Sequence, residues 1–222
     1  MTERLWNILT DSFLKILVPG LQMTIPLTII SFAIGMVIAL VVAMIQVAEI
    51  PGLKQLCRFY VWIIRGTPLL VQLYVVFYGL PRLGVLIDPF PAAVIVFSIS
   101  VGAYDSETMR AAIQSVSKGQ IEAGYCVGMS YPQIMRRIVL PQAFRTAFPP
   151  LSNSLIGLVK DTSLAANITV LEMFMATQRI VARTYEPFAL YLEVALIYLI
   201  FCTVLTKVQS VCEKRLGKYG KR

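Results

Sequence analysis

The stretch between Lys15 and Glu49 carries no charged side chain, and its central part, residues 25–47, is almost continuously apolar. A helix needs about 20 consecutive apolar residues to cross the hydrocarbon of a bilayer, so this segment predicts a membrane-spanning helix. The rest of the chain agrees with it. Of 222 residues, 57% are hydrophobic and 14% are charged, against about 25% charged in an ordinary soluble domain. A water-soluble fold of this size is excluded.

Four more spans follow from the same reasoning. Residues 59–80 are long enough to cross, but Arg65 and the Thr67-Pro68 dipeptide place the first turns at the interface or break them away. Residues 90–104 give a short third span. Residues 140–159 carry Pro141, Pro149 and Pro150, more proline than a lipid-facing helix tolerates unless neighbours satisfy its backbone. Residues 187–206 give a fifth, interrupted only by Glu193. The expected fold class is all-α, a polytopic membrane protein of about five transmembrane helices, with residues 1–222 forming a single transmembrane domain. No cleavable signal peptide is evident, because Glu3, Arg4, Asp11 and Lys15 interrupt the start of the chain.

Five crossings put the termini on opposite sides, and basic residues mark the cytoplasmic one. Residues 48–58, 105–145 and the tail from 207 onward together hold 13 basic and 5 acidic residues, whereas the alternate segments hold 5 of each. The N-terminus is therefore expected outside and the C-terminus in the cytoplasm. The net charge of +8 belongs to this topogenic and lipid-surface bias; nucleic acid is not an expected partner.

The chain has no His, which removes histidine catalysis, His-ligated metals and His proton relays. Cys57, Cys126, Cys202 and Cys212 show no CxxC spacing, so they predict neither a zinc site nor a redox motif. The pairs Gly217-Lys218 and Gly220-Lys221 lack the upstream Gly and following Ser or Thr of a phosphate-binding loop. No metal site and no nucleotide site are expected in this chain.

Between the third and fourth spans lie local structure signals. Ser117 with Gln120 reads as a capping box, Gly128 is placed to end the helix in the left-handed conformation, and Ser130 with Gln133 repeats the box with Pro132 in the next first turn. Glu122, Ala123, Gly124, Val127 and Gly128 give the first helix a low profile that a partner surface can approach closely.

The string Glu122-Ala123-Gly124, then Gly128, then Ile138-Val139-Leu140-Pro141 resembles the EAA loop of the membrane subunits of ABC importers, with Gly124 in place of the second Ala. Residues 65–73 (RGTPLLVQL), 140–143 (LPQA), 149–153 (PPLSN) and 160–164 (KDTSL) narrow the resemblance to the permeases for polar amino acids, the histidine, glutamine and cystine branch. It covers residues 20–208; one departure is Ala111, where the family often has Gly. The Asp88-Pro89-Phe90-Pro91 loop and Met135-Arg136-Arg137 are most like the L-cystine permeases.

That resemblance implies the type I importer permease fold, in the bacterial inner membrane, with the coupling loop at about 117–141. Glu122, Ala123 and Gly128 would dock on a separate cytoplasmic ATP-binding subunit, with Arg136 and Arg137 at the rim. ATP and Mg would be bound by that subunit and no cofactor by this chain, which is not itself an enzyme. The other implied partners are an extracytoplasmic substrate-binding protein and a second permease copy or homologue, a homodimer being favoured. L-cystine is the first expected solute, with glutamine, arginine and histidine as alternatives. An ATP-independent channel or carrier is a further one, but it predicts paired inverted repeats of broken helices, which the sequence does not display.

Charged groups within spans are functional candidates by default. Lys160, Asp161, Thr162 and Ser163 offer both an acceptor for an ammonium and donors for a carboxylate, as a zwitterionic amino acid requires; helix glue would use the same residues. Gln72 and Asn153 are further candidates for the solute path, and Glu193 is a weaker one. Thr169 with Glu172 reads as a capping box for a short helix on the outside.

Overall fold

The computed structural model describes residues 3–217; the end of the basic tail, residues 218–222, lies outside them. Ten α-helices are present among the described residues and no strand. Helix α1 (Glu3–Pro19) runs through a π-helical turn at Gly20–Thr24 into α2 (Ile25–Val47). Then come α3 (Leu53–Gly66), α4 (Leu69–Tyr74), α5 (Pro89–Gln114), α6 (Lys118–Cys126), α7 (Tyr131–Ile134), α8 (Leu140–Asp161), α9 (Met173–Thr184) and α10 (Pro187–Gly217).

Three helical runs are long and apolar enough to cross a membrane, Glu3–Val47, Pro89–Gln114 and Pro187–Leu216, and two bent pairs raise the number to five. The expected break at Thr67-Pro68 is present, with a bend of 104°. Its cause is steric: a residue before proline is pushed out of the helical region, and Thr67 is extended at φ −121°, ψ 143°. Two spans are longer than expected. Helix α5 continues past residue 104 to Gln114, and α10 past 206 to Gly217, because hydropathy stops at the first charge whereas a helix continues into water wherever nothing breaks it.

The described chain divides into two compact units, residues 3–33, 68–97 and 155–207 in one, and residues 34–67, 98–154 and 208–217 in the other. The boundaries fall inside α2, α5, α8 and α10 and at the Thr67-Pro68 break.

In the first unit α1 packs on α9, with Ile16, Met173, Val194 and Ile197 fully or almost fully buried between them and α10. Gly20 is required there, since a Cβ would stand 2.6 Å from the Met173 sulfur. Ser12 Oγ donates to Glu193 Oε2 at 2.5 Å, so Glu193 joins helices. Glu172 is the N-cap of α9: its carboxylate accepts from the N–H groups of Phe174 (2.9 Å) and Met175 (2.7 Å). The box expected from Thr169 does not form, because Thr169 sits in the left-handed region (φ 66°) closing the preceding 3₁₀ turn.

In the second unit Met109, Ala112, Ile113, Ile134, Met135, Val139, Ala143 and Leu151 form one buried core. Helices α2 and α5 approach closely through glycine, as small residues permit in membrane bundles. A Cβ on Gly35 would lie 2.6 Å from Val101, and one on Gly102 would lie 2.6 Å from Ile38 and 2.8 Å from the Tyr60 hydroxyl, which donates to the Ile99 carbonyl at 2.6 Å. Gly102→Leu should therefore cost about 1–3 kcal/mol by overpacking. A thermal scan in detergent should show a lower midpoint for it than for Gly157→Leu, whose added Cβ meets nothing within 4 Å.

Candidate functional site

Two groups of residues were expected to act, one in the loop before α8 and one at its far end. In the loop, α6 starts after Ser117 and ends at Cys126. Gly128 has φ 77°, its N–H bonds to the Tyr125 carbonyl at 2.9 Å, and the Met129 N–H bonds to the Gly124 carbonyl at 3.0 Å. These two bonds are the 5→2 and 6→1 pair of a Schellman cap, which favours glycine at the left-handed position. The Ser130 N–H donates to Gln133 Oε1 at 2.9 Å, opening α7 as expected. The first box does not form: Ser117 stands at the N-cap but its side chain caps nothing, and the Gln120 N–H closes a backbone turn on the Ser117 carbonyl instead.

The side chains of this hairpin divide by face. Gly124 is buried, and a Cβ there would meet Ile134 Cγ1 at 2.8 Å; its smallness serves the hairpin's own closure and not a partner's approach. Glu122, Ala123 and Gly128 are exposed, and Val127 is 76% exposed. A π-helical turn at Met135–Val139 joins α7 to α8, burying Met135 and Val139 and leaving Arg136 and Arg137 in the open. The structure thus brings Glu122, Ala123 and Gly128 together as the exposed side of a glycine-hinged hairpin, with the two arginines on the next helix.

At the far end, α8 passes into a 3₁₀ segment at Thr162–Ile168. Thr162 is fully buried, its hydroxyl donating to the Val159 carbonyl at 2.7 Å, and the Ser163 hydroxyl donates to the Lys160 carbonyl at 2.7 Å. Both hydroxyls thereby satisfy carbonyls that the end of an α-helix leaves open. Lys160 and Asp161 are exposed. Lys160 and Ser163 line a groove of about 650 Å³ whose other walls include Phe174, Tyr191 and Tyr198. The rings of Phe174 and Tyr191 stack at 5.7 Å. Such a groove combines an ammonium and a hydroxyl with aromatic walls, chemistry suited to a carboxylate on an apolar stem.

The remaining candidates are distributed differently. Gln72 lies on α4, which packs against the Thr162–Ile168 segment, and Tyr78 donates to the Asn167 carbonyl there at 3.1 Å. Asn153 belongs to the other unit, where it accepts from Gln209 Nε2 at 3.1 Å. Two buried carboxylates were not among the expected site residues. Glu172, fully buried, also accepts from the Tyr198 hydroxyl at 2.8 Å, and Tyr198 is a wall of the groove. Asp105, 3% exposed, leaves its Oδ2 buried without a hydrogen-bond partner among the described residues; its signal was its position one residue beyond an apolar span that continues as helix.

A profile of the binding-protein-dependent transport system inner membrane component family matches residues 35–218. The chain belongs to this family. The permease is similar to the L-cystine transport system permease protein TcyB of Bacillus subtilis, 50% identical over 215 residues that make up 96% of this chain and 92% of that one. It is 36% identical to the nopaline transport system permease protein NocM of Agrobacterium fabrum, over 93% of this chain and 90% of the other. Among solved structures, an amino acid ABC transporter crystallised with histidines superposes with a TM-score of 0.88 at 31% identity, over 97% of this chain and all of that one. The inward-facing MetNI methionine transporter shares the fold, with a TM-score of 0.77 at 20% identity over 97% and 99% of the two chains. The permease is all-α, a transport component and an inner-membrane protein.

Proposed function

We propose that this permease forms the path of an ATP-driven importer for a polar amino acid, with L-cystine as its solute. The observation that carries this is the 50% identity to an L-cystine permease along 96% of the chain; glutamine, arginine and histidine are the competing solutes. ATP and Mg belong to a separate ATP-binding subunit, a binding protein delivers solute from outside, and a second copy completes the path. The transporter works by alternating access. A ligand shifts such an equilibrium only through unequal affinity for its two states, so the hairpin must be gripped differently with and without ATP, and the solute site must differ between outward and inward forms.

Glu122, Ala123 and Gly128 seat the hairpin in the ATP-binding subunit, with Arg136 and Arg137 at the rim. The exposed face of a hairpin hinged at a left-handed glycine supports this assignment. Lys160, Asp161 and Ser163, with Gln72, serve the solute: Lys160 faces a carboxylate and Asp161 an ammonium, while the buried Thr162 holds the turn beneath them. The N-terminus lies outside and the C-terminus inside, as the excess of basic residues in residues 48–58, 105–145 and 207–222 supports.

Cystine uptake into vesicles holding the full complex should be competed by unlabelled cystine at lower concentration than by glutamine, arginine or histidine; the reverse ranking rejects cystine. In the same vesicles Asp161→Asn, which keeps shape and removes charge, should lose a charge-assisted hydrogen bond of roughly 1.5–3 kcal/mol, weakening apparent affinity about ten- to a hundredfold while assembly survives. Normal half-saturation with poor assembly would make Asp161 structural instead. Gly128→Asp should leave insertion normal yet separate ATP hydrolysis from uptake, and undiminished uptake at normal expression would refute the docking role. Membrane-impermeant thiol reagents on intact cells should reach a cysteine placed at Arg82 but not one at Arg215, the opposite pattern inverting the topology.

A further inference from the structure

We infer that the basic flank of α3 holds the phosphate of an anionic phospholipid headgroup. The flank lines a groove of about 320 Å³ with Lys54, Arg58, Trp62 and Arg65, closed on the far side by Glu107 and Arg110 of α5 and by Glu49 beyond α2. Four cations face two carboxylates there. Each carboxylate already has a cation: Lys54 Nζ sits 2.5 Å from Glu49 Oε1, and Arg110 Nη2 sits 2.7 Å from Glu107 Oε2. Outside the spans, that hydrogen bond and the charge of Lys54 hold the Glu49 carboxyl below its ordinary range, so its negative charge is present at neutral pH and is used by Lys54. Arg58 and Arg65 remain exposed, and neither has a carboxylate within 4.0 Å among the described residues. Arg65 lies 5.3 Å from the Tyr104 ring centroid, and among the described residues neither Arg58 nor Arg65 holds a carboxylate as its own ion-pair partner. The groove therefore carries an excess of two positive charges, complementary to a phosphate.

The rest of α3 says where that phosphate comes from. Cys57 and Val61 are buried against Val42, which fixes the rotation of the helix. At about 100° per residue, Leu56 lies on the flank opposite Arg58, and Leu53, Leu56 and Phe59 are 45%, 62% and 55% exposed. Trp62, 70% exposed, pairs with Phe59 at 5.9 Å. A helix buried on one stripe, apolar on one flank and basic on the other belongs at the boundary between hydrocarbon and headgroups, and exposed aromatic pairs mark that level. With its apolar flank in the acyl region, α3 carries Arg58 and Arg65 at the depth of lipid phosphates, where anionic lipids are the concentrated source of phosphate. The site is independent of which solute is carried.

The test uses the full-length permease in its assembled transporter, delipidated in neutral detergent and exchanged into mixed micelles of phosphatidylglycerol and phosphatidylcholine. Native mass spectrometry should find phosphatidylglycerol retained at least threefold over phosphatidylcholine. The pair Arg58→Gln and Arg65→Gln should reduce that preference about tenfold, whereas Arg82→Gln with Arg183→Gln, cations on other segments, should keep it. Arg58→Lys with Arg65→Lys should keep most of it, which separates charge from damage to the fold. Equal retention of the two lipids by the wild type, or an unchanged preference in the glutamine pair, would overturn the site. Displacement by soluble glycerol phosphate at the same concentration as by the lipid would overturn the lipid as occupant, and so would displacement by the transported amino acid.

Discussion

In hydrocarbon a main-chain N–H without a carbonyl has no water to turn to, and that constraint decides where this permease can bend. Its helices run on wherever they are able to, through the π turn at Gly20–Thr24 and through Pro149 and Pro150 inside α8. Several of their breaks fall at residues with special backbone needs. Thr67 is extended because Pro68 follows it, and Gly84 and Gly128 take positive φ that few other residues accept at no cost. Tyr185 takes positive φ as well, at φ 58°, two residues before Pro187 opens α10. Breaks of this kind are also the places where carbonyls and N–H groups come free, and the loop hairpin lies beside one at Gly128.

Polar groups within the bundle follow the same rule. The hydroxyls of Thr28, Thr162, Ser163, Thr177 and Thr203 bond back to carbonyls three or four residues earlier, a local satisfaction that needs no partner helix. Glu172 is different. Its carboxylate takes two N–H groups at the start of α9 and the hydroxyl of Tyr198 on α10, so burying it ties two helices at one point beside the groove of Lys160 and Ser163. An unpaired carboxylate in that position would be strongly destabilising; with three donors it becomes a fixed corner of the groove.

Much of this was legible in the chain because the signals are local. The break at Thr67-Pro68, the span of residues 25–47, the left-handed Gly128 and the box of Ser130 with Gln133 each depend on a few neighbouring residues and an elementary steric rule. Features that depend on distant partners were not. Ser117 and Thr169 had the residues of a capping box but not its geometry, since backbone bonds and a closing 3₁₀ turn took precedence. Gly124 looked like a smooth spot for a partner and is instead the seat of Ile134. Asp105 was counted with a loop because hydropathy averages over a window, whereas burial is decided by which face of a continuing helix meets its neighbours.

The two candidate sites are joined by covalent structure. From Tyr131 the chain is helical through the π turn at Met135–Val139 and along α8 to Asp161, continuing as a 3₁₀ turn to Ile168. Its ridge of Ile134, Met135, Val139, Ala143, Ala147 and Leu151 is buried throughout, so the first part of this helix cannot shift without carrying its core along. Its helical bonding is interrupted at the π turn, at Pro141 and at Pro149-Pro150, whose missing N–H groups remove two more helical bonds. A displacement of the hairpin would be taken up within this helix as a change of bend at the prolines rather than as a loss of packing. Packed cores switch between discrete arrangements and deform little in between, so the proline pair, which lacks two helical hydrogen bonds, is the stretch of α8 where a bend costs least.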